Sequence, residues 1–219
     1  MSTPATSPAT FSGFPHGALD FYGGLEADNS KAYWTEHKQQ WERDVREPML
    51  ALVDALEEEF GEAKLFRPNR DIRFSADKSP YKTHLGAFAA THAGCGYYVE
   101  ISATGLKAGG GFHAHATSQT ARLREAVVSE STGPQLEQLL TAARGAGFEV
   151  LGEKVRTTPR GFAADHPRIE TLRHKELMLI RDFGSPRWLE TTQALDEVRG
   201  AWQALRPLNE WLSEHVGPA

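Results

Sequence analysis

Between Arg70 and His84 the chain packs seven ionisable groups besides Tyr81 into fifteen residues: Arg70, Asp71, Arg73, Asp77, Lys78, Lys82 and His84. Arginine suits planar, two-point recognition of a carboxylate or phosphate, and lysine adds a compact point charge. An anion site follows, in which Arg73, Lys78 and Lys82 hold the charged group of a small molecule. Tyr81, His84 and Asp77 are the candidates for moving a proton, and His84 is the natural acid or base because an unperturbed imidazole titrates near 6.5. A second basic stretch, Leu151 to Arg187, carries 8 bases against 5 acids and offers Arg160 as a further anion ligand. The competing reading is architectural: Asp71 and Asp77 pair with the arginines and lysines and fix a turn.

Other constellations carry less. His113 and His115 stand two apart on an expected strand and would share a face, with His84 or His92 as a third donor. A zinc site, however, needs three or four convergent ligands. No metal and no cofactor is therefore expected. Cys95 sits in a glycine-flanked turn, with no local base to make it a nucleophile. Gly109-Gly110-Gly111 marks a bulge, a kink or a close backbone approach rather than a ligand loop. Phosphate loops, nucleophile elbows and paired-histidine zinc helices are absent from the sequence.

The chain has 219 residues, long enough to bury a full core as one domain without disulfides. Its 40% apolar and 24% charged residues are close to the globular average. A net charge of −5 argues against a dedicated nucleic-acid binder. That charge is uneven. Asp20 to Phe66 has 12 acids and 5 bases, whereas Arg67 to His84 has 5 bases and 2 acids. One cysteine excludes an intrachain disulfide, and no apolar run reaches the length of a membrane span, so a soluble cytoplasmic protein is expected. Partners other than a small anion, whether protein or nucleic acid, are the alternative class. Five tryptophans and five tyrosines could stack, but most recur at core spacing.

These side chains need elements to hold them. Residues 1–10 read as a disordered arm and 217–219 as a tail, leaving 11–216 as one folded domain. Asn29 or Ser30 caps a helix with Tyr33, Trp34, His37, Trp41 and Val45 on one stripe, which Pro48 breaks or restarts. Met49, Leu52, Val53, Leu56 and Phe60 mark the next helix, closed by Gly61. The period then changes to two. Arg70–Ser75, Tyr81–Ala90, Tyr97–Ala103 and Leu106–His115 read as strands, with a hairpin turn at 92–96 and another at Thr104-Gly105. Helices follow over 117–144, interrupted near Gly133-Pro134 with Thr132 as a cap. A strand is expected over Phe148–Thr157, a short helix capped by Asp165 over His166–Lys175, and a strand over Leu177–Ile180. Two closing helices are opened by Pro186 and Pro207. The pattern predicts an α+β fold: a central, mostly antiparallel sheet packed against N-terminal and C-terminal helices.

The pattern R-D-x-R-F-S-x-D-K-x-P-Y-K-T-H over Arg70–His84 resembles the signature of the family known as domain of unknown function 2461, found chiefly in bacteria and fungi. Upstream, Asn29 to Trp34 resembles its N-x-R-x-W-F stretch, with Lys31 for Arg, Tyr33 for Trp and Trp34 for Phe, followed by His37-Lys38 and Pro48. Downstream, Gly96-Tyr97-Tyr98, Gly109-Gly110-Gly111, Pro159-Arg160-Gly161-Phe162 and Asp165-His166-Pro167 resemble its remaining blocks. Where the family usually carries an aromatic residue or proline after the glycines, this chain has His113 and His115. The resemblance implies an α+β domain and no established activity, substrate or cofactor.

Overall fold

The computed structural model describes residues 10–71, 73, 77–92, 94–114 and 116–218. Its elements in chain order are α1 (Gly17–Ala27), α2 (Lys31–Gln40), a π-helical turn (Trp41–Arg46), α3 (Glu47–Asp54), α4 (Glu57–Phe60), β1 (Ala63–Leu65), β2 (His84–His92), β3 (Cys95–Ser102) and β4 (Gly105–Phe112). They continue with α5 (Thr117–Val128), α6 (Gly133–Gly145), β5 (Glu149–Leu151), α7 (Ile169–Leu172), β6 (Leu177–Gly184), a 3-10 turn (Arg187–Glu190) and α8 (Gln193–His215). Among the described residues the strands form a six-stranded antiparallel sheet in the order β1-β2-β3-β4-β6-β5, so the fold is α+β. Short turns join β2 to β3 and β3 to β4, which makes these three a meander. The pairing of β5 with β6 sets Val150 opposite Leu179.

The chain divides into two compact units, and β2, β3, β4, β6 and α8 give residues to both. The first holds the residues up to Phe88, with Val99–Lys107 and Phe183–Arg199. Its helices start as the spacing predicts: the Ser30 hydroxyl accepts from the Tyr33 N–H at 3.1 Å. Pro48 does not break the run. Helix α2 passes through the π turn into α3, with the Glu47 N–H bonded to the Glu42 carbonyl, and Pro48 falls in the first turn of α3. There its missing N–H costs nothing. The apolar stripe buries Trp34, Trp41, Val45, Met49 and Leu52, and Phe21 meets Trp34 edge to face at 5.7 Å. Helix α1, which carries Phe21, Tyr22 and Leu25 into this core, and strand β1 have no counterpart in the sequence reading. In α1 glycines follow the aromatic pair and weaken the helical pattern, and β1 is three residues long.

The second unit holds Ala89–Tyr98, Ala108–Asp182 and the residues from Gly200 onward. Here α5 and α6 appear with the expected break, but Thr132 does not cap; its hydroxyl donates instead to the Ala126 carbonyl at 2.6 Å. Arg168 covers the end of α5, donating to the Val127 and Val128 carbonyls at 2.7 and 3.1 Å, as basic side chains near a helix C-terminus can. The expected strand over Phe148–Thr157 shrinks to β5 plus a single bridge between Lys154 and His174. The helix expected over His166–Lys175 shrinks to α7, with Arg168 rather than Asp165 at its start. Pro207 does not open a helix; it lies inside α8. Trp202, Leu205, Leu208, Trp211 and Leu212 are buried on both sides of it, and that continuous apolar stripe offsets one lost backbone bond. Trp202 also donates its indole N–H to the Tyr98 carbonyl at 2.9 Å.

The glycine run has a steric cause. A Cβ on Gly109 would collide with the Leu179 carbonyl oxygen, and one on Gly110 would lie 2.7 Å from that of Gly96. What approaches these glycines is neighbouring backbone. Gly109→Ala should therefore destabilise the protein by about 1–3 kcal/mol. Gly23, in the interior of α1, has open space around it. Gly23→Ala should be neutral or stabilising by up to ~1 kcal/mol. Urea denaturation of both variants checks the contrast.

Candidate functional site

The basic loop is closed by short antiparallel contacts. The Phe66 N–H donates to Gly86, Lys82 to Pro68 and Arg70 to Pro80, at 2.8, 2.8 and 2.9 Å, and Asn69 bridges Tyr81. Asn29 then clamps Tyr81 by both backbone groups, accepting from its N–H at 3.0 Å and donating to its carbonyl at 3.1 Å. The Tyr81 ring stacks on Trp34, centroids 4.4 Å apart and planes 9° from parallel, and is buried. Tyr81 thus serves as the loop's anchor, which the sequence alone does not reveal.

The expected strand over Arg70–Ser75 falls partly outside the described residues, since Ile72, Phe74, Ser75 and Ala76 are not among them. Arg70, Asp71 and Arg73 are not in a strand. Asp71 and Arg73 nonetheless meet, because residues two apart in an open chain reach one another: Arg73 donates its Nε and Nη2 to the carboxylate at 3.0 and 2.7 Å. These bonds hold the Asp71 carboxyl below the usual range. Asp77 accepts from Ser79 at 2.9 Å and pairs with Arg70; the Ser79 bonds foremost, with Arg70 assisting, hold it low as well. Lys78 is exposed. Arg73, at 75% side-chain exposure, points into water.

Deeper in the loop the picture differs. Lys82 is half-buried, its Nζ 5.1 Å from the centre of the Phe66 ring, a face that attracts cations. Burial pushes its pKa down, and the charges of Arg67 and Arg70 push it further. Both effects disfavour the charged form. His84 opens β2. Burial lowers its pKa, the Glu100 charge opposes this, and Lys82, Arg70 and Lys107 reinforce it. Glu100 and Lys107 lie on β3 and β4 across the two-residue turn, and their side chains pair at 3.5 Å. Glu100 also raises the Tyr22 phenol, though burial is the larger cause; the Tyr22 oxygen accepts from the Trp41 indole at 3.3 Å. The charges of Arg67 and Arg70 thus act on Lys82, those of Lys82, Arg70 and Lys107 act on His84 against that of Glu100, and Glu100 acts in turn on Tyr22, which is bonded to Trp41 of the π-helical turn. Such turns often occur where function requires an unusual helix face.

Of the residues singled out from the sequence, the structure places Lys82 and His84 in this cluster, with Tyr81 anchoring it and Asp77 paired beside it. Arg73 and Lys78 lie on the exposed part of the same loop. Arg160 belongs to the second unit, exposed in a turn. Arg67, Arg70, Glu100 and Lys107 complete the cluster and were not singled out. Their signal was available: a glutamate and a lysine in otherwise apolar strands, placed symmetrically about Ala103-Thr104, form a cross-strand pair in any two-residue hairpin.

The remaining candidates of the sequence resolve simply. Cys95 is fully buried, its thiol 3.7 Å from the Asn209 amide oxygen, and burial pushes its pKa up. His113 pairs with the Glu176 carboxylate, and His115 lies outside the described residues. No helix among the described residues is long and apolar enough to cross a membrane.

A family model described as conserved hypothetical protein, DUF2461, matches residues 17–211. No curated protein and no solved structure matches the chain.

Two results would test this geometry. Asn29→Ala removes both backbone partners of Tyr81 and should cost about 2 kcal/mol in urea denaturation. Arg73→Ala removes an exposed pair with Asp71 and should move Tm by about 2 °C or less. Independently, the folded-state pKa of His84 lies below its unfolded value. Its contribution is therefore complete above about pH 6.5 and is lost as pH falls through the lower folded value. Stability of the wild-type protein should thus drop on acidification, and His84→Asn should flatten the drop.

Proposed function

The chain belongs to the DUF2461 family, and since that description carries no activity we propose from the site alone that the first unit binds a small molecule bearing phosphate or carboxylate. One observation supports this above the others. Lys82 is partly desolvated, set against an aromatic ring and near two arginines whose charges act against its own. Gathering like charges in a half-buried place is unfavourable in the empty protein. An anion on Lys82, Arg67 and Arg70 removes that cost, so the cluster is strained in the empty state and relaxed in the bound one. The exposed Arg73 and Lys78 on the same loop add attraction at longer range. His84, whose pKa burial lowers, is the candidate to exchange a proton with what is bound, and no reaction class is favoured.

The architectural reading has its own support, because Asp71 with Arg73 and Asp77 with Arg70 do form ion pairs. Lys82→Met separates the two. If Lys82 serves a ligand, the variant should be at least as stable as the wild type without ligand, having lost the repulsion, and should lose any response to anions. Thermal melting at low salt with inorganic phosphate, pyrophosphate and citrate is the measurement. An anion at a hundred times its Kd stabilises by ~2.7 kcal/mol, or about 5–10 °C for a chain of this length. Loss of stability in Lys82→Met, together with a wild type that ignores all three anions, would establish the ion network instead.

A further inference from the structure

The second unit contains a cleft of about 430 Å³, lined by α6, β5, α7 and the segment that follows β5. That volume is in the range of ligand pockets. Leu140 and Phe148 are buried in its floor, while Leu151 is 43% exposed. Arg144, in the last turn of α6, and Lys154 both line it. The single bridge between Lys154 and His174 sets these two residues opposite one another, and His174 is 4% exposed. Gly152 makes that bridge possible: its φ of +116° turns the chain after β5, and a Cβ there would meet the Glu176 carbonyl at 2.6 Å.

The two cations of the cleft, Arg144 and Lys154, are matched in number by Glu149 and Glu170 but are not tied to them in ion pairs among the described residues. Three cations of the second basic stretch are held by carboxylates, Lys175 by Glu153, Arg173 by Glu170 and Arg168 by Glu130. Among the described residues no carboxylate is within ion-pair distance of Arg144 or Lys154. Two glutamates also line the cleft, Glu149 on β5 and Glu170 on α7, the latter held by Arg173 at 2.9 Å. Glu137 on α6 is engaged by the buried Thr171 hydroxyl at 2.7 Å. His174 reports the balance. Its Nδ1 lies 3.2 Å from the Glu176 carbonyl. A carbonyl only accepts, so Nδ1 carries the hydrogen and Nε2 is left with a lone pair. Burial, then Lys154, push its pKa down to about 4, with Arg144 adding to them, against smaller opposing effects of that hydrogen bond and of Glu170. Two cations in no ion pair among the described residues, beside an imidazole kept neutral by burial first and by their charge second, over a floor that includes Leu140 and Phe148, form the arrangement of a half-empty anion site.

We propose that this cleft is a small-molecule site separate from the loop of the first unit, taking an organic anion whose carboxylate or phosphate lies between Arg144 and Lys154 and whose apolar body rests on Leu140, Phe148 and Leu151. Binding is linked to His174. An anion placed there offsets the charge of the two cations, so protonation of the imidazole at Nε2 becomes easier and the imidazolium can donate a hydrogen bond to the ligand. By reciprocity, affinity rises as the medium is acidified from pH 7 toward 5.

Benzoate is a suitable probe, with benzyl alcohol as its uncharged counterpart. The imidazole signals of His174, assigned with a His174→Gln variant, are titrated by NMR in the presence of each. Benzoate should raise the His174 pKa by about one unit or more, and benzyl alcohol should leave it unchanged. Arg144 and Lys154 are both exposed. In the Arg144→Gln/Lys154→Gln double variant the benzoate effect should vanish while circular dichroism stays native. The effect should survive in Lys82→Met, which keeps this test independent of the first site. A His174 titration indifferent to millimolar benzoate, or a shift that persists in the double variant, would overturn the proposal.

Discussion

The position of the basic loop depends on the clamp around Tyr81. A loop rich in like charges has no reason to lie against a protein, since its groups repel one another and prefer water. Asn29 supplies what a neighbouring strand would otherwise supply, one donor and one acceptor for the same residue, and Trp34 covers the ring. Both come from the start of the helical run that begins at Ser30, so the fold of that helix fixes where the loop returns to the sheet. Once Tyr81 is held, Lys82 follows against Phe66, and His84 enters β2 at a set place beside Glu100.

That arrangement distributes charge in two ways along one short segment. At the exposed end, acids and bases pair locally, Asp71 with Arg73 and Asp77 with Arg70, and water screens whatever is left. At the anchored end, Lys82 and His84 lose water and gain cationic neighbours. The same segment therefore supports an architectural account over its first half and a binding account over its second. The difference lies in burial, not in composition. In the second unit an analogous division holds: Arg168, Arg173 and Lys175 are held by carboxylates, whereas Arg144 and Lys154, which line the cleft with Glu149 and Glu170, are in no ion pair among the described residues.

Backbone proximity accounts for the other conspicuous motif. Gly109, Gly110 and Gly111 are glycines because carbonyl groups of β6 and β3 occupy the space their side chains would need. The run belongs to the sheet's construction, as do the buried Cys95 and its Asn209 neighbour.

Periodicity and local chemistry sufficed for the helical run from Ser30 with its cap, the meander of β2, β3 and β4, the α5–α6 break and the concentration of basic groups before β2. These are decided by residues close in sequence: a serine three positions before the amide it accepts from, apolar residues at helical or alternating spacing, glycine at Gly61 with positive φ. Tertiary structure decided the rest. It carried α8 through Pro207 by burying both flanks, reduced the strand after Phe148 to β5 and a bridge, and set Lys82 beside an aromatic ring while Arg73 stays exposed. No local pattern could show this, because desolvation and the field at a group depend on neighbours distant in the chain and not on the types of residue beside it. Asn29 and Tyr81, 52 positions apart, are the case in point.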